Sequence, residues 1–280
     1  MPVPVGRGSL RRVLLGRLTW PEGRTARGGT APGETAVYGL PVRDVTLIRE
    51  SGYLKLAVPT HLGGEGLDLR QVACAQRRLA ARAPAAALAV VAHHACVGAA
   101  VDALASAPGD AAVPVAERVL GEAARGRFFA GCGPDPLGAR PGDPREDTFA
   151  AGMFGWGLPL AGMTFYAIAR QAFDLAAERA QRHADGEHAA GRHEPGHPFD
   201  QWPAAEAALR LDGIRGQLDG VIGDWQQRTA AGGALTSLDP GGQWLIRLFT
   251  VRHAADDGAR RVIELAAQLA EPVRPEPLPR

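Results

Sequence analysis

The chain has 280 residues, of which 46% are hydrophobic and 22% are charged, so it is long enough to bury the core of one large domain or of two modest ones. Its formal net charge is only +1, which excludes both the basic field of a nucleic-acid-binding protein and the acidic excess of a disordered chain. The three cysteines, Cys74, Cys96 and Cys132, are widely spaced and odd in number, which excludes a disulfide scaffold and predicts a cytoplasmic protein.

The first predicted folded unit is a helical block over 37–129. Residues 1–36, before it, contain much glycine and arginine but no continuous apolar core of a secretory signal, so we expect a flexible lead-in. Apolar residues recur at helical spacing over 69–83, Pro84 stands where the next helix can begin, and a further helix is expected over 114–125. We therefore predict that the first half is all-α.

The stretch 85–105 is apolar enough to be weighed as a membrane span. It is rich in alanine, however, and it carries His93 and His94 at its centre and Asp102 near its end. Imidazoles and carboxylates are costly in lipid, so the composition favours a helix buried in a bundle, with no membrane partner.

The second half contains a linker, three helical segments and a tail. Residues 130–155 are crowded with glycine and proline and show no period, which predicts an irregular connection. Helical spacing resumes over 158–182, 202–228 and 242–270, within a predicted bundle over 156–271, and four prolines mark 272–280 as a tail.

The loop "HLGGEGLDL" raises the possibility of a phosphate site. A phosphate-binding loop needs a preceding strand, and a Walker loop also needs a lysine followed by serine or threonine; this segment has neither. Gly63, Gly64 and Gly66 are therefore interpreted as permissive residues in a tight connection between helices.

The histidines form a second constellation. Among His183, His188, His193 and His197, only the last two have the spacing of metal ligands on a helix, and Pro195 lies between them. The four are therefore interpreted as surface residues, and we predict no metal. His93 and His94 are adjacent, so at most one is expected to point into a shared cavity, and a satisfied core or interface histidine is the favoured interpretation. No serine-hydrolase, cysteine-nucleophile or zinc-protease motif is present.

The order of these elements resembles the acyl-CoA dehydrogenase family. In its N-terminal domain a glycine-ended helix, a Val-Pro turn and a Gly-Gly-x-Gly loop precede a helix and then a long alanine-rich one. The residues that carry this match are Gly52, Val58, Pro59, Gly63, Gly64 and Gly66. "AIARQAFDLAAERAQR" is likewise similar to the helix that opens the family's C-terminal four-helix domain. The resemblance implies an all-α protein that has both helical domains, with 130–155 standing where the middle β-barrel would be.

The resemblance implies two alternative functions. The first is a flavin-linked oxidoreductase that binds FAD and acyl-CoA thioesters, with Arg179 and Gln201 matching residues that reach a neighbouring subunit's flavin. The family's catalytic glutamate has no counterpart, because its two known places correspond to the chain's end and to a position near Gly157. The catalytic residues are thus unknown. Without that glutamate, the oxidoreductase is expected to be degenerate. The alternative is a non-catalytic helical partner or a repurposed remnant of a dehydrogenase complex.

Two further expectations concern the partners of the chain and the residues to test if it were active. Family members oligomerise through the C-terminal helices, so we expect a homo-oligomer or a complex with a full-length relative. The apolar residues expected at that surface are Trp225, Trp244, Leu245, Leu248 and Phe249. If the chain were nevertheless active, His93, His94 and Glu65 would be the first ionisable residues to test.

Overall fold

The computed structural model describes residues 36–37, 40–106, 113–129, 148–189, 201–231 and 243–270. Within these ranges the architecture is helical, as predicted, apart from one short antiparallel pair, β1 (Ala36–Val37) and β2 (Leu40–Pro41). Two single 3-10 turns, Tyr53–Lys55 and Thr60–Leu62, lie between the first and second helices. The helices are α1 (Val42–Glu50), α2 (Leu69–Ala80), α3 (Pro84–Ser106), α4 (Val113–Ala124), α5 (Thr148–Ala189), α6 (Trp202–Ala230) and α7 (Gln243–Ala270).

Helix α2 begins where its sequence provides a complete cap. Asp68 Oδ1 accepts from the backbone N–H of Gln71 at 2.8 Å, and the Gln71 side chain accepts from the backbone N–H of Asp68 at 3.0 Å. This reciprocal pair satisfies two donors that a helix start would otherwise leave free. Leu69, Val72 and Leu79 then face the core.

Helix α3 is largely buried among other helices. It begins at Pro84 as predicted, and it packs against α2, α4, α5 and α6. It is the one described helix long and apolar enough to cross a bilayer, and 78% of its most apolar window is buried inside the protein. Burial on several sides explains why its sequence has no polar face.

Helix α5 corrects the predicted linker. It begins at Thr148 and continues to Ala189, so 148–155 are helical rather than irregular, and the predicted end at 182 is too early. The prediction of an irregular connection is wrong for 148–155 because it relied on the poor helix propensity of glycine. Here glycine allows close packing: a Cβ on Gly152 would lie 2.8 Å from Cα of Ala99, and one on Gly155 would lie 2.1 Å from Cζ2 of Trp225.

Both predicted helical blocks share one hydrophobic core. Gly152 lies against Ala99 and Gly157 against Ala95, so α5 runs antiparallel to α3 of the first block. The same helix packs against α6 and α7 of the second block, and buried residues of all of them belong to one cluster. The described helices therefore form the single bundle-like body that the helical pattern predicts.

Several predictions fall outside the described residues. These are the lead-in before Ala36, the part of the linker over 130–147, Cys132, His193, His197 and the tail over 272–280.

Candidate functional site

The two residues that the resemblance assigns to flavin binding lie at the surface. Arg179 is an exposed residue of α5, and Gln201 is an exposed residue directly before α6 with no side-chain cap hydrogen bond. Within the described residues, no hydrogen bond or ion pair joins their side chains. A flavin site needs enclosing walls as well as polar contacts, and two exposed side chains do not provide them. FAD binding therefore stays a prediction.

The glycine loop has the structural role that its sequence predicts. Gly63 and Gly66 adopt φ values of 83° and 62°, which L-residues rarely adopt. A Cβ on Gly64 would lie 2.0 Å from the carbonyl oxygen of Val58, so the two backbones touch. Glu65 is half-buried, and its backbone N–H donates to the carbonyl of Lys55 at 3.1 Å.

His93 is a satisfied core histidine. Its Nε2 lies 2.7 Å from the carbonyl oxygen of Leu54, and its Nδ1 lies 3.3 Å from the backbone nitrogen of Phe129. Because the Phe129 N–H can only donate, Nδ1 accepts, and Nε2 carries the proton that is donated to Leu54. Burial lowers the pKa of His93 to about 4, so the ring is neutral near pH 7.

His94 has no hydrogen-bond partner, so the prediction of a satisfied core histidine is wrong for this member of the pair. The ring is fully buried, and neither Nδ1 nor Nε2 has a hydrogen-bond partner. It meets Tyr53 edge-on with ring centroids 5.2 Å apart, and its centroid is 5.3 Å from that of His93. The two histidines therefore lie in one enclosed cluster. Burial, and then the charge of His93, lower the pKa of His94 well below its ordinary range.

A short polar chain connects this cluster to α5. The Tyr53 hydroxyl donates to Oε1 of Gln76 at 3.0 Å, and Nε2 of Gln76 donates to the carbonyl of Ala87 at 2.6 Å. The same Nε2 lies 3.0 Å from the Thr164 hydroxyl, which donates to the carbonyl of Leu160 at 2.8 Å. A hydrogen-bonded network of this kind fixes the relative positions of α2, α3 and α5.

Asp102 is a second buried polar residue. The sequence analysis considered it only as an obstacle to membrane insertion. Its Oδ2 accepts from Nε1 of Trp156 at 2.8 Å and from Nε1 of Trp225 at 2.9 Å, so one carboxylate joins α3, α5 and α6. Burial raises the pKa of Asp102 to about 6, although both indole hydrogen bonds oppose the rise. The signal available in the sequence was a carboxylate within an otherwise apolar helix.

The tryptophans predicted for an oligomer surface are core residues, which is a second correction. Trp225 is only 3% exposed, Trp244 7% and Leu248 1%. The indole of Trp225 stacks on that of Trp244 with centroids 6.0 Å apart, and the guanidinium of Arg228 lies 4.5 Å from the centroid of Trp244. Leu245 is half-buried, and only Phe249 of the predicted set is largely exposed.

The other histidines of the described ranges lie on α5 and α7 or in the glycine loop. His183 is exposed on α5, and His188 also belongs to α5. Across the described ranges, no three residues among histidine, cysteine, aspartate and glutamate are placed to hold a metal ion. The described interior thus has polar groups that position helices, and its two histidines and its carboxylate are enclosed by neighbouring side chains.

Comparison with known proteins gives no relative. No family model matches the chain, and neither a curated protein nor a solved structure matches it.

Proposed function

We propose that the chain is a non-catalytic helical subunit that pairs with a second copy of itself through the outer face of α6. The observation that carries this proposal is the combination of Leu209 with a glycine row beside it. Leu209 is 73% exposed, and Trp202, earlier on the same helix, is 63% exposed. Leaving large apolar side chains in water is unfavourable, and such surfaces are typical of binding faces.

No packing contact among the described residues explains the glycine row. Gly213, Gly216 and Gly220 follow Leu209 at spacings that place all four on one face of α6. A Cβ added at any of these glycines would meet nothing within 4 Å. Glycine inside a helix costs up to about 1 kcal/mol relative to alanine, and no contact with the part of the chain that the structure describes requires it here. A second helix laid on this face could approach it closely.

The spacing also supports one register. In an antiparallel pair of α6 helices centred between Ile214 and Arg215, Leu209 of one copy lies opposite Gly220 of the other. The same register sets Gly213 opposite Gly216. A large side chain thus meets an open position at each end, and small residues meet at the middle, as close helix packing requires. The pairing is self-complementary, which a two-fold dimer needs.

The interior supports the non-catalytic part of the proposal. The boundary between the two helical blocks is filled by Trp156, whose ring leaves no room for a Cβ on Gly98. Asp102 and His93 in the interior already have hydrogen-bond partners, and His94, which has none, is fully buried. A general base must come within hydrogen-bond distance of a substrate proton, and none of these groups is free to do so.

The test uses one substitution that should abolish the dimer without destabilising the folded monomer. We expect sedimentation of the native chain to give a dimer and Gly216→Leu to give a monomer. The folded monomer should be no less stable, because the new side chain enters open space. Gly121→Leu on α4, where a Cβ meets only the end of Arg125 at 3.8 Å, is the matched control and should remain dimeric. A monomeric native chain at high concentration would overturn the proposal.

A further inference from the structure

One carboxylate of α6 has no cationic partner among the described residues. The other three carboxylates of this helix form ion pairs with arginines, in the pairs Glu206–Arg210 at 2.9 Å, Asp219–Arg215 at 2.6 Å and Asp224–Arg247 at 2.6 Å. Asp212 is exposed, and within the described ranges its side chain makes neither an ion pair nor a hydrogen bond. Its negative charge is therefore not compensated on the described surface.

Helix α2 carries arginines with the opposite property. It contains Arg70, Arg77 and Arg78 but no acidic residue, and none of the three forms an ion pair in the part of the chain that the structure describes. The guanidinium of Arg70 lies on α6, since a Cβ on Gly223 would be 3.0 Å from its Nη2. Arg77 follows about two turns later, so it lies on the same edge of α2 as Arg70.

Contacts through α5 show which part of α6 lies beside Arg77. The residue before it, Gln76, has its Nε2 3.0 Å from the hydroxyl of Thr164 on α5. The neighbours of Thr164 on α5 contact the stretch 215–218 of α6, in the pairs Gly162–Leu218 and Tyr166–Arg215. Arg77 therefore stands at the level of 215–218, along the border of the glycine row.

The antiparallel register of the α6 pair brings Asp212 of one copy to this level of the other. In that register Asp212 lies opposite Gln217 of the second copy. Asp212 and Gly223 are about three turns apart, so they share the edge of α6 on which Arg70 lies. A two-fold axis perpendicular to the helices keeps this edge of both copies on one side. Asp212 of each copy thus approaches the α2 edge of the other near Arg77.

We propose that Asp212 of each copy forms an ion pair with Arg77 of the other, so that α2 is the second element of the dimer interface. This inference rests on the proposed pairing through α6 and fixes its register and orientation. The two-fold axis makes two such pairs, one at each side of its centre. Exposed ion pairs add little affinity, but they select which surfaces meet and in which direction.

Exchange of the two charges tests the proposal. Asp212→Arg should raise the dissociation constant of the dimer about tenfold, because two like-charged contacts replace two opposite ones. Arg77→Glu should weaken the dimer by a similar factor. The double variant, which restores opposite charges in reversed order, should return to within about threefold of the native constant. Sedimentation equilibrium measures all four proteins.

Asp257→Arg is the matched control. It makes the same change in net charge at another exposed aspartate, on α7 instead of α6. We expect its dissociation constant to stay within about threefold of the native value, because single exposed charges far from an interface have small effects. The comparison separates a local ion pair from the general effect of added positive charge.

The outcomes distinguish this ion pair from the pairing through α6. A native chain that is monomeric at high concentration overturns both. If the native chain is a dimer that Gly216→Leu abolishes, the pairing stands. The ion pair alone is then overturned if Asp212→Arg acts no more strongly than Asp257→Arg, or if the double variant stays as weak as the single ones.

If Arg77→Glu does not fold, the salt dependence of the dimer decides. Salt screens exposed charges, so the dissociation constant of the native dimer should rise about threefold from about 0.05 M to about 0.5 M salt. Asp212→Asn removes the charge of the pair, and its constant should stay nearly unchanged over the same range. Equal responses of the two proteins would reject the ion pair.

Discussion

Asp102 shows how a single residue holds three helices. Its Oδ2 accepts two indole N–H groups, one from Trp156 and one from Trp225. Buried donors that lose their acceptor are left with the full cost of desolvation, so this carboxylate should matter more than its size suggests.

The first prediction compares two substitutions of Asp102 at pH 7.5. Asp102→Asn keeps a carbonyl oxygen that can accept from the indoles, whereas Asp102→Ala keeps none. Both remove the charge, so the difference isolates the acceptor. We expect Ala to lower the free energy of unfolding by about 1–3 kcal/mol more than Asn, measured by urea denaturation.

The same pair of substitutions at Asp257, which is exposed on α7, is the control and should differ by less than about 0.5 kcal/mol. Equal effects of Asn and Ala at Asp102 would show that the indole hydrogen bonds contribute nothing to stability.

The second prediction concerns pH and also belongs to Asp102. Burial raises its pKa from 3.8 to about 6 in the folded chain, so the folded state holds the proton more tightly than the unfolded state. Its contribution is therefore present below pH 4 and is lost as pH rises through 6. We expect the unfolding free energy of the native chain, minus that of Asp102→Asn, to fall by about 2–3 kcal/mol from pH 4 to pH 7.5.

Taking this difference removes the opposite trend of His93, whose pKa of about 4 lies below its ordinary 6.5. That contribution is full above pH 6.5 and is lost as the solution becomes acidic. A difference that is flat with pH would mean that Asp102 has an ordinary pKa.

At the scale of elements, glycine decides how closely α3 and α5 approach. A Cβ on Gly98 would lie 1.9 Å from Cδ2 of Trp156, a ring held in the core by its bond to Asp102. An indole fixed in this way cannot move aside easily. The close approach of these helices therefore depends on the missing side chain.

The third prediction follows from this contact. Gly98→Ala should lower the free energy of unfolding by about 1–3 kcal/mol or more through overpacking, even though alanine favours helix. Gly121→Ala on α4, where the added methyl meets only the end of Arg125, should instead raise it by up to about 1 kcal/mol. Thermal and urea unfolding of both variants measure the two changes in the free energy of unfolding. A Gly98→Ala variant that is more stable than the native chain would contradict the close contact with Trp156.

At the scale of the whole molecule, the question is whether the described bundle can do flavin chemistry. Arg179 lies exposed within α5, Gln201 lies exposed directly before α6, and Trp156 fills the boundary between the helical blocks. Loss of general-base help alone typically lowers a rate by 10²–10⁴-fold, and an open site also loses electrostatic preorganisation.

The fourth prediction is that the purified protein is colourless and that added FAD does not give dehydrogenation of straight-chain or branched acyl-CoAs with a dye acceptor. A flavin band at near-unit occupancy in the visible spectrum, or turnover on the order of 1–10³ s⁻¹, would contradict it. Either result would restore the oxidoreductase hypothesis, and Arg179→Ala and Gln201→Ala would then test the assigned contacts.

The sequence by itself determined the helical class and most helix positions. Pro84 at the start of α3 and the apolar spacing of α6 and α7 act through neighbours along the chain, so they were predictable without the fold. The cap at Asp68 is just as local, although the sequence analysis did not predict it. The role of the glycine loop was predictable for the same reason, since positive φ is a local property.

Only the tertiary structure decided what depends on residues far apart in the chain. Helix α5 begins at Thr148 because its glycines pack against Ala99 and Trp225, which outweighs their poor helix propensity. Whether Trp244 is a surface or a core residue, and whether His94 finds a hydrogen-bond partner, depends on which side chains arrive from other helices. Burial, the pKa of Asp102 and the enclosure of the histidine pair are set by those long-range contacts, and spacing along one helix does not encode them.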